Sequence, residues 1–330
     1  MATWHRIIFG DCRDMKEIPD NSIHLVVTSP PYYNAPFDYP DLFHNYGEFL
    51  QLLRDLAKEL KRVLAKGRIA CFVTDDMLVN GEKYPIVADL TRIMVEEGFR
   101  YRDRIIWKKP EGYIRISRRS GVLIQHPYPM YFYPDNIHES ILIFQKGKYD
   151  YSNKERPQSI IEDSRIDIKQ YLEEKWYLSV WDITNVLPLE GRLEEGIAAF
   201  PEEIPRRLIR LFTFVGETVL DPFLGSGTTV KVARELGRNS YGYEIDLELK
   251  PIILKKIGYN NNKEDNAKLT LFTDSITVTT PLAEDRIEVI ERNDTKHLRT
   301  FLQKKLINKQ QQKKKSVTRK AYDQTLTADL

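Results

Sequence analysis

The sequence predicts an α/β protein built on a mostly parallel sheet. Three observations carry that reading. Short apolar runs of strand length alternate with longer segments whose apolar residues recur at helical spacing, the rhythm of parallel β-α units. One of the strands turns sharply into a helix through a glycine-rich segment, Gly225-Ser226-Gly227. At 330 residues, with 42% hydrophobic and 30% charged side chains, the chain can bury a self-sufficient core and is neither collagen-like nor wholly disordered.

Each element follows from its pattern. Residues 6–9 and 23–28 read as short buried strands, the second ending at Ser29-Pro30-Pro31. Apolar positions at Phe49, Leu52, Leu53, Leu56, Leu60, Val63 and Leu64 give a helix over 46–65 one apolar face, and Gly67 is expected to stop it. Arg68 to Thr74 is the next apolar strand, 85–97 the next helix, and Tyr101 to Trp107 the strand after it. Glu139 to Phe144 is strand-like and ends at Lys146-Gly147. A helix over 201–214 leads into strand Thr218-Val219-Leu220, the glycine-rich turn, a helix over 228–236, and strand Ser240 to Ile245. Residues 148–185 break the rhythm, being polar and rich in Tyr, Glu and Lys, and read as an insertion. After Gly258, the run from Asn260 to Asn266 reads as a linker, and 267–330 as an extension with a basic tail, flexible from about residue 308. The expected division is therefore a domain over 1–258 and an extension over 259–330.

Charge is concentrated. The net charge is only +2, but residues 100–119 carry eight basic side chains against Asp103 and Glu111, and residues 304–320 carry eight with no acid. Two basic segments on an acidic body point to a polyanionic partner, nucleic acid before membrane; a solvated face and a disordered tail are the plainer readings. Cys12 and Cys71 are too few for a disulfide framework or a four-cysteine zinc site, which fits a reducing cytosol. The first residues lack the apolar stretch of a signal peptide, and no apolar run approaches the roughly 18 residues of a membrane span. A cytoplasmic protein is expected.

Two motifs carry chemistry. The first is Asp221-Pro222-Phe223-Leu224-Gly225-Ser226-Gly227-Thr228-Thr229, a strand turning into a helix. Its glycines let backbone approach a ligand closely, and the helix start offers free N–H groups. No Lys follows the glycines, which excludes a Walker A loop, and Val230 stands where a nicotinamide-binding loop has its third Gly. Glu244, ending the following strand, is placed to hold ribose hydroxyls. The second motif is Thr28-Ser29-Pro30-Pro31-Tyr32-Tyr33 at the carboxyl end of a strand, where open α/β sheets place their sites. Two prolines remove two N–H donors and leave carbonyl acceptors, Ser29 adds a hydroxyl, and Tyr32 an aromatic face. Such a loop suits a planar substrate bearing an amino group, or it merely shapes a strand exit.

Together these motifs resemble the amino-group DNA methyltransferases of the β order, which place the catalytic motif before the cofactor motif. The likeness runs through most of residues 6–258. It implies a Rossmann-like methyltransferase fold, a twisted sheet with helices on both faces and permuted motif order. It also implies S-adenosylmethionine as cofactor. By this resemblance Ser29, Pro30, Pro31 and Tyr32 form the catalytic tetrapeptide, while Asp11, Phe200, Asp221, Phe223, Gly225, Ser226, Gly227, Thr228 and Glu244 bind the cofactor. Phe99 to Lys108 and Glu139 to Gly147 resemble later strands of the same sheet, and the region 148–199 holds a short target-recognition insertion.

The implied reaction is attack by the exocyclic amine of a flipped-out base on the sulfonium methyl, with the Ser29 hydroxyl and Pro30 carbonyl as acceptors and Tyr32 stacking. Ser rather than Asp in the first position is the form this family associates with N4-cytosine methylation; adenine N6 is the alternative, and an inactive DNA-binding module a more remote one. Neither cysteine lies in a Pro-Cys pair, which argues against cytosine C5 chemistry. Arg115, Arg118 and Arg119 are candidates to line the DNA cleft with Tyr128, Tyr131 and Tyr133, or to form a solvated loop. His126 and His138 lack metal-ligand spacing. Double-stranded DNA is the expected partner, and a restriction endonuclease sharing its site a further one.

Overall fold

The computed structural model describes residues 2–34, 42–110, 125–130, 134, 136–148, 156–184, 200–259, 268–272, 275–281 and 285–292, the stretch 268–281 by its backbone only. No helix among them is long and apolar enough to cross a membrane. The strands are β1 (Trp4–Phe9), β2 (Ile23–Thr28), β3 (Leu64–Thr74), β4 (Met77–Val79), β5 (Glu82–Tyr84), β6 (Arg100–Lys108) and β7 (His138–Gln145). After them come β8 (Val180–Asp182), β9 (Thr218–Asp221), β10 (Asn239–Glu244), β11 (Lys268–Phe272), β12 (Ser275–Pro281) and β13 (Arg286–Arg292). The helices are α1 (Tyr46–Val63), α2 (Ile86–Glu96), α3 (Gln158–Asp163), α4 (Ile168–Glu173), α5 (Glu203–Phe212), α6 (Thr228–Glu235) and α7 (Lys250–Lys256).

Eleven of these strands form one sheet in the order β11-β12-β13-β1-β10-β9-β2-β3-β7-β6-β8. From β13 to β3 every neighbour is parallel, and β7 then runs antiparallel to both β3 and β6. Although β1 and β2 are consecutive in the chain, β10 and β9 lie between them in the sheet. This is the permuted Rossmann-like arrangement that the resemblance implies: two late strands slot between the first two. Parallel alignment brings the carboxyl ends of β1, β2, β9 and β10 to one edge, and that edge carries both motifs.

Strand alternation assigns the faces. On β2, Ile23 and Val26 pack with Phe49, Leu53, Leu56 and Leu60 of α1 and Leu90 and Ile93 of α2. Leu25 and Val27, flanking Val26, pack on the other side with Ile204, Leu208 and Ile209 of α5, and a register shift between Ile23 and Leu25 brings Ile23 to the Val26 side. A third cluster places Ile7 and Phe9 against Val230, Ile253 and the β13 residues Ile287 and Val289. Both faces are therefore covered, as buried parallel strands require.

Two elements differ from expectation. Helix α1 ends at Val63 rather than being stopped by Gly67, because Leu64 already pairs with Ile23 as the first residue of β3. Gly67 sits inside that strand with φ 82. The C-terminal extension, read without strands, supplies β11, β12 and β13 to the sheet, β13 lying parallel beside β1. The Asn260–Asn266 linker and the basic tail lie outside the described residues.

Candidate active site

The glycine-rich turn is built almost entirely from main-chain contacts. Leu224 N–H donates to the Tyr243 carbonyl at 2.8 Å, docking the turn onto β10. A Cβ at Gly242 would lie 2.8 Å from a Leu224 methyl, so the glycine in Tyr241-Gly242-Tyr243-Glu244 makes room for that docking. Gly227 caps α6 with φ 94 and no side-chain capping bond, which leaves the helix start available to an anion. Behind the turn, Lys256 Nζ donates to Ser226 Oγ at 2.8 Å.

Glu244 closes this side. Its Oε2 accepts from Gly225 N–H and its Oε1 from the N–H groups of Ile245 and Asp246, each at 2.9 Å. Three donors leave room for another on the roughly four lone pairs of a carboxylate. Burial pushes Glu244 up to about 7, against the lowering effect of those donors. Gly10 N–H donates to the Glu244 carbonyl at 2.9 Å, which sets the loop after β1 beside it. Asp11 is buried in that loop and grips Arg13, with Nη2 to Oδ2 at 2.6 Å.

Asp221 has a different place from a ligand-facing acid. It is 1% exposed; Oδ1 accepts from Thr28 Oγ1 at 2.7 Å and Phe223 N–H at 3.1 Å, and Oδ2 from Thr229 Oγ1 at 2.7 Å. Burial pushes it up to about 7. Thr28 immediately precedes the tetrapeptide and Thr229 follows the glycine turn, so one buried carboxylate ties the two motifs together.

In the tetrapeptide, Ser29 and Pro31 are partly exposed while Pro30 and Tyr32 are buried. The Tyr32 hydroxyl donates to Glu139 Oε2 at 2.8 Å, and Lys109 forms an ion pair with the same carboxylate while its ammonium lies 4.8 Å from the Trp107 ring centroid. Tyr33 anchors the loop in an aromatic cluster with Phe43, Tyr46, Phe49 and Tyr84. Asn34 then closes it: Nδ2 donates to the Phe43 carbonyl and Oδ1 accepts from Phe43 N–H, both at 2.8 Å.

Sequence reasoning did not find Lys109 or Glu139. The available signal was a Glu opening the apolar run Glu139 to Phe144, since a carboxylate entering a core strand needs a cation, and Lys109 follows the strand that pairs with it. Phe200 is buried against the α5 face. Arg115, Arg118, Arg119, Tyr131 and Tyr133 lie outside the described residues, while Tyr128, His126 and His138 are exposed. Burial pushes both thiols up, Cys12 and Cys71 alike, so neither is poised as a nucleophile.

Comparison with known proteins agrees with this geometry. A family model described as DNA methylase, of the N6/N4 type, matches residues 23–255. The chain is similar to the type II methyltransferase M.MjaI of Methanocaldococcus jannaschii, 38% identical over 294 residues that cover 80% of this chain and 94% of that protein. It is also similar to the DNA adenine methyltransferase YhdJ of Escherichia coli K12, 26% identical over 76% of this chain and 82% of that one. Among solved structures, a DNA modification methylase of Thermus thermophilus, complexed with S-adenosyl-L-methionine, matches with a TM-score of 0.60 and 30% identity, over 77% of this chain and 95% of that one.

Proposed function

The chain belongs to the N6/N4 DNA methylase family, and from that premise we propose that it methylates the N4 amine of cytosine at a specific site in duplex DNA. It is a DNA methyltransferase, and its methyl donor is S-adenosyl-L-methionine. The choice of base rests on Ser29: a neutral hydroxyl opens the tetrapeptide where a carboxylate would be the alternative. Adenine N6 is the second reading, favoured by the similarity to YhdJ. Incubating duplex DNA with the enzyme and donor, then digesting to nucleosides for mass spectrometry, separates them. N4-methylcytosine is expected; N6-methyladenine as sole product would overturn the base.

The residues present fit the donor. The uncapped start of α6 suits its carboxylate, the remaining acceptor capacity of Glu244 suits a ribose diol, and the Gly225–Gly227 turn allows close approach. When bound, the donor supplies an electrophilic methyl group on a sulfonium. Attack by an amine needs no covalent enzyme intermediate, so the protein's task is positioning and stabilisation of the charge that develops on nitrogen. The Ser29 hydroxyl and Pro30 carbonyl accept the amine's N–H groups, and Tyr32 holds the extruded ring. Asp221 keeps the strand exit that carries Ser29 in register with the turn that carries the donor.

Residues 1–258 are assigned to catalysis. Residues 148–199, with Arg115, Arg118 and Arg119, are assigned to target recognition, and the basic stretch 304–320 to phosphate contacts. The proposed biological setting is a restriction-modification system, with an endonuclease reading the same site.

A further inference from the structure

We propose that Arg292 is a positioning residue for the cofactor pocket, and that β13 thereby completes the pocket wall carrying Asp11. This deepens the methyltransferase reading and rests on it. Strand β13 runs parallel to β1 with Glu291 opposite Phe9, so Arg292 emerges beside Gly10 at the edge of the sheet that carries the site. Its side chain is only 2% exposed.

The guanidinium is spent on the loop that follows β1. Nη1 donates to the Asp11 carbonyl at 3.3 Å, Nη2 to the Asp14 carbonyl at 2.5 Å, and Nε to Glu17 Oε1 at 2.7 Å. A further ion pair joins Nη2 to Glu17 Oε2, which also accepts from the Tyr243 hydroxyl at 2.9 Å. The same guanidinium lies 5.6 Å from the Tyr243 ring centroid, one residue before Glu244. One cation therefore binds the loop at three points, Asp11, Asp14 and Glu17, and leans on the strand that carries Glu244.

Gly10 belongs to this arrangement. A Cβ there would come within 2.6 Å of Arg292 Cδ, so the stem of Arg292 occupies the space a side chain at residue 10 would need. Lysine cannot replace the fork, because an ammonium cannot reach carbonyls and carboxylate in one plane. A purely structural brace would lower stability alone. A positioning residue also changes how the pocket receives the cofactor.

The test measures dissociation constants for S-adenosylhomocysteine by calorimetry, and KM for S-adenosylmethionine and for DNA separately, in Arg292→Ala, Arg292→Lys, Glu17→Gln and Asp11→Ala, each checked for folding by circular dichroism. Arg292→Ala is expected to weaken S-adenosylhomocysteine binding and raise KM for the donor at least tenfold. Arg292→Lys and Glu17→Gln should fall between it and wild type, with KM for DNA and the single-turnover rate at saturating donor within twofold of wild type. Folded Arg292 and Glu17 variants with wild-type affinity would overturn the proposal; where Arg292→Ala does not fold, the other two decide it. Failure of the wild-type protein to bind S-adenosylhomocysteine would instead overturn the cofactor reading. Loss of affinity in the Arg292 variants with none in Asp11→Ala supports Arg292 acting through the main chain of the loop, which it holds at the Asp11 carbonyl, and overturns the Asp11 carboxylate as a cofactor contact.

Discussion

Glu244 and the Gly225–Gly227 turn are held by main-chain donors close in sequence, whereas Tyr32 is held by side chains from the far half of the sheet. On the side proposed for the cofactor, Glu244 meets the N–H groups of Gly225, Ile245 and Asp246, and the turn docks through Leu224 N–H. On the side proposed for catalysis, Tyr32 depends on Glu139 and Lys109, more than 75 residues away along the chain. A backbone-built site survives sequence change as long as glycines and strand ends remain. A side-chain-built site can be retuned by single substitutions. That division suits an enzyme with a constant donor and a base that differs among relatives.

Asp221 is the place to break the division, because it touches both sides. Asp221→Ala leaves the Thr28 and Thr229 hydroxyls and Phe223 N–H without their buried acceptor, at about 1–3 kcal/mol for each unsatisfied group. Thermal melting should fall, and donor affinity and methyl transfer should both drop. A variant that lost only one of the two activities would show that the carboxylate does not couple the loops.

The catalytic side alone should respond to Glu139→Ala. Releasing the Tyr32 hydroxyl and Lys109 from a charged partner, worth about 1.5–3 kcal/mol, should slow single-turnover methylation roughly 10- to 100-fold. Calorimetric affinity for S-adenosylhomocysteine should stay as in wild type. An equal loss in affinity would mean that the Glu139 network reaches the cofactor.

The cofactor side should respond to pH. Burial pushes Glu244 up to about 7, so below that pH the free protein holds a proton there. In the proposed role of Glu244, ribose hydroxyls and a sulfonium both favour the carboxylate, so binding should release the proton and affinity for S-adenosylmethionine should rise with pH. The gain is at most about tenfold per pH unit and flattens above pH 7. Glu244→Gln should remove that slope. A profile of the same steepness in the variant would move the titration to another group.

Legibility followed the same line. The alternation of strands and helices, the glycine turn and the place of Glu244 at the end of the next strand were readable because each depends on residues near one another in sequence. The end of α1 was misplaced because the pairing of Leu64 with Ile23, 41 positions earlier, decides it rather than Gly67. The strands of the extension were missed because β13 draws its partner from the opposite end of the chain. Arg292 was missed for the same reason: nothing near it in sequence indicates the loop it binds. Asp221 was seen as an acid at a strand end, but its partners on two other elements turn it inward.

The most direct test of separate donor and base sides pairs Ser29→Ala with Glu244→Ala in one experiment. Single-turnover rates at saturating S-adenosylmethionine are measured beside dissociation constants for S-adenosylhomocysteine. Removing an acceptor of the developing charge should cost Ser29→Ala about 10²- to 10³-fold in rate, by analogy with oxyanion-hole donors, with affinity unchanged. Loss of a charged hydrogen bond should cost Glu244→Ala roughly 10- to 100-fold in affinity, with the saturated rate largely kept. If both substitutions lowered rate and affinity in the same proportion, the site would act as one unit, and the separation of donor from base would be wrong.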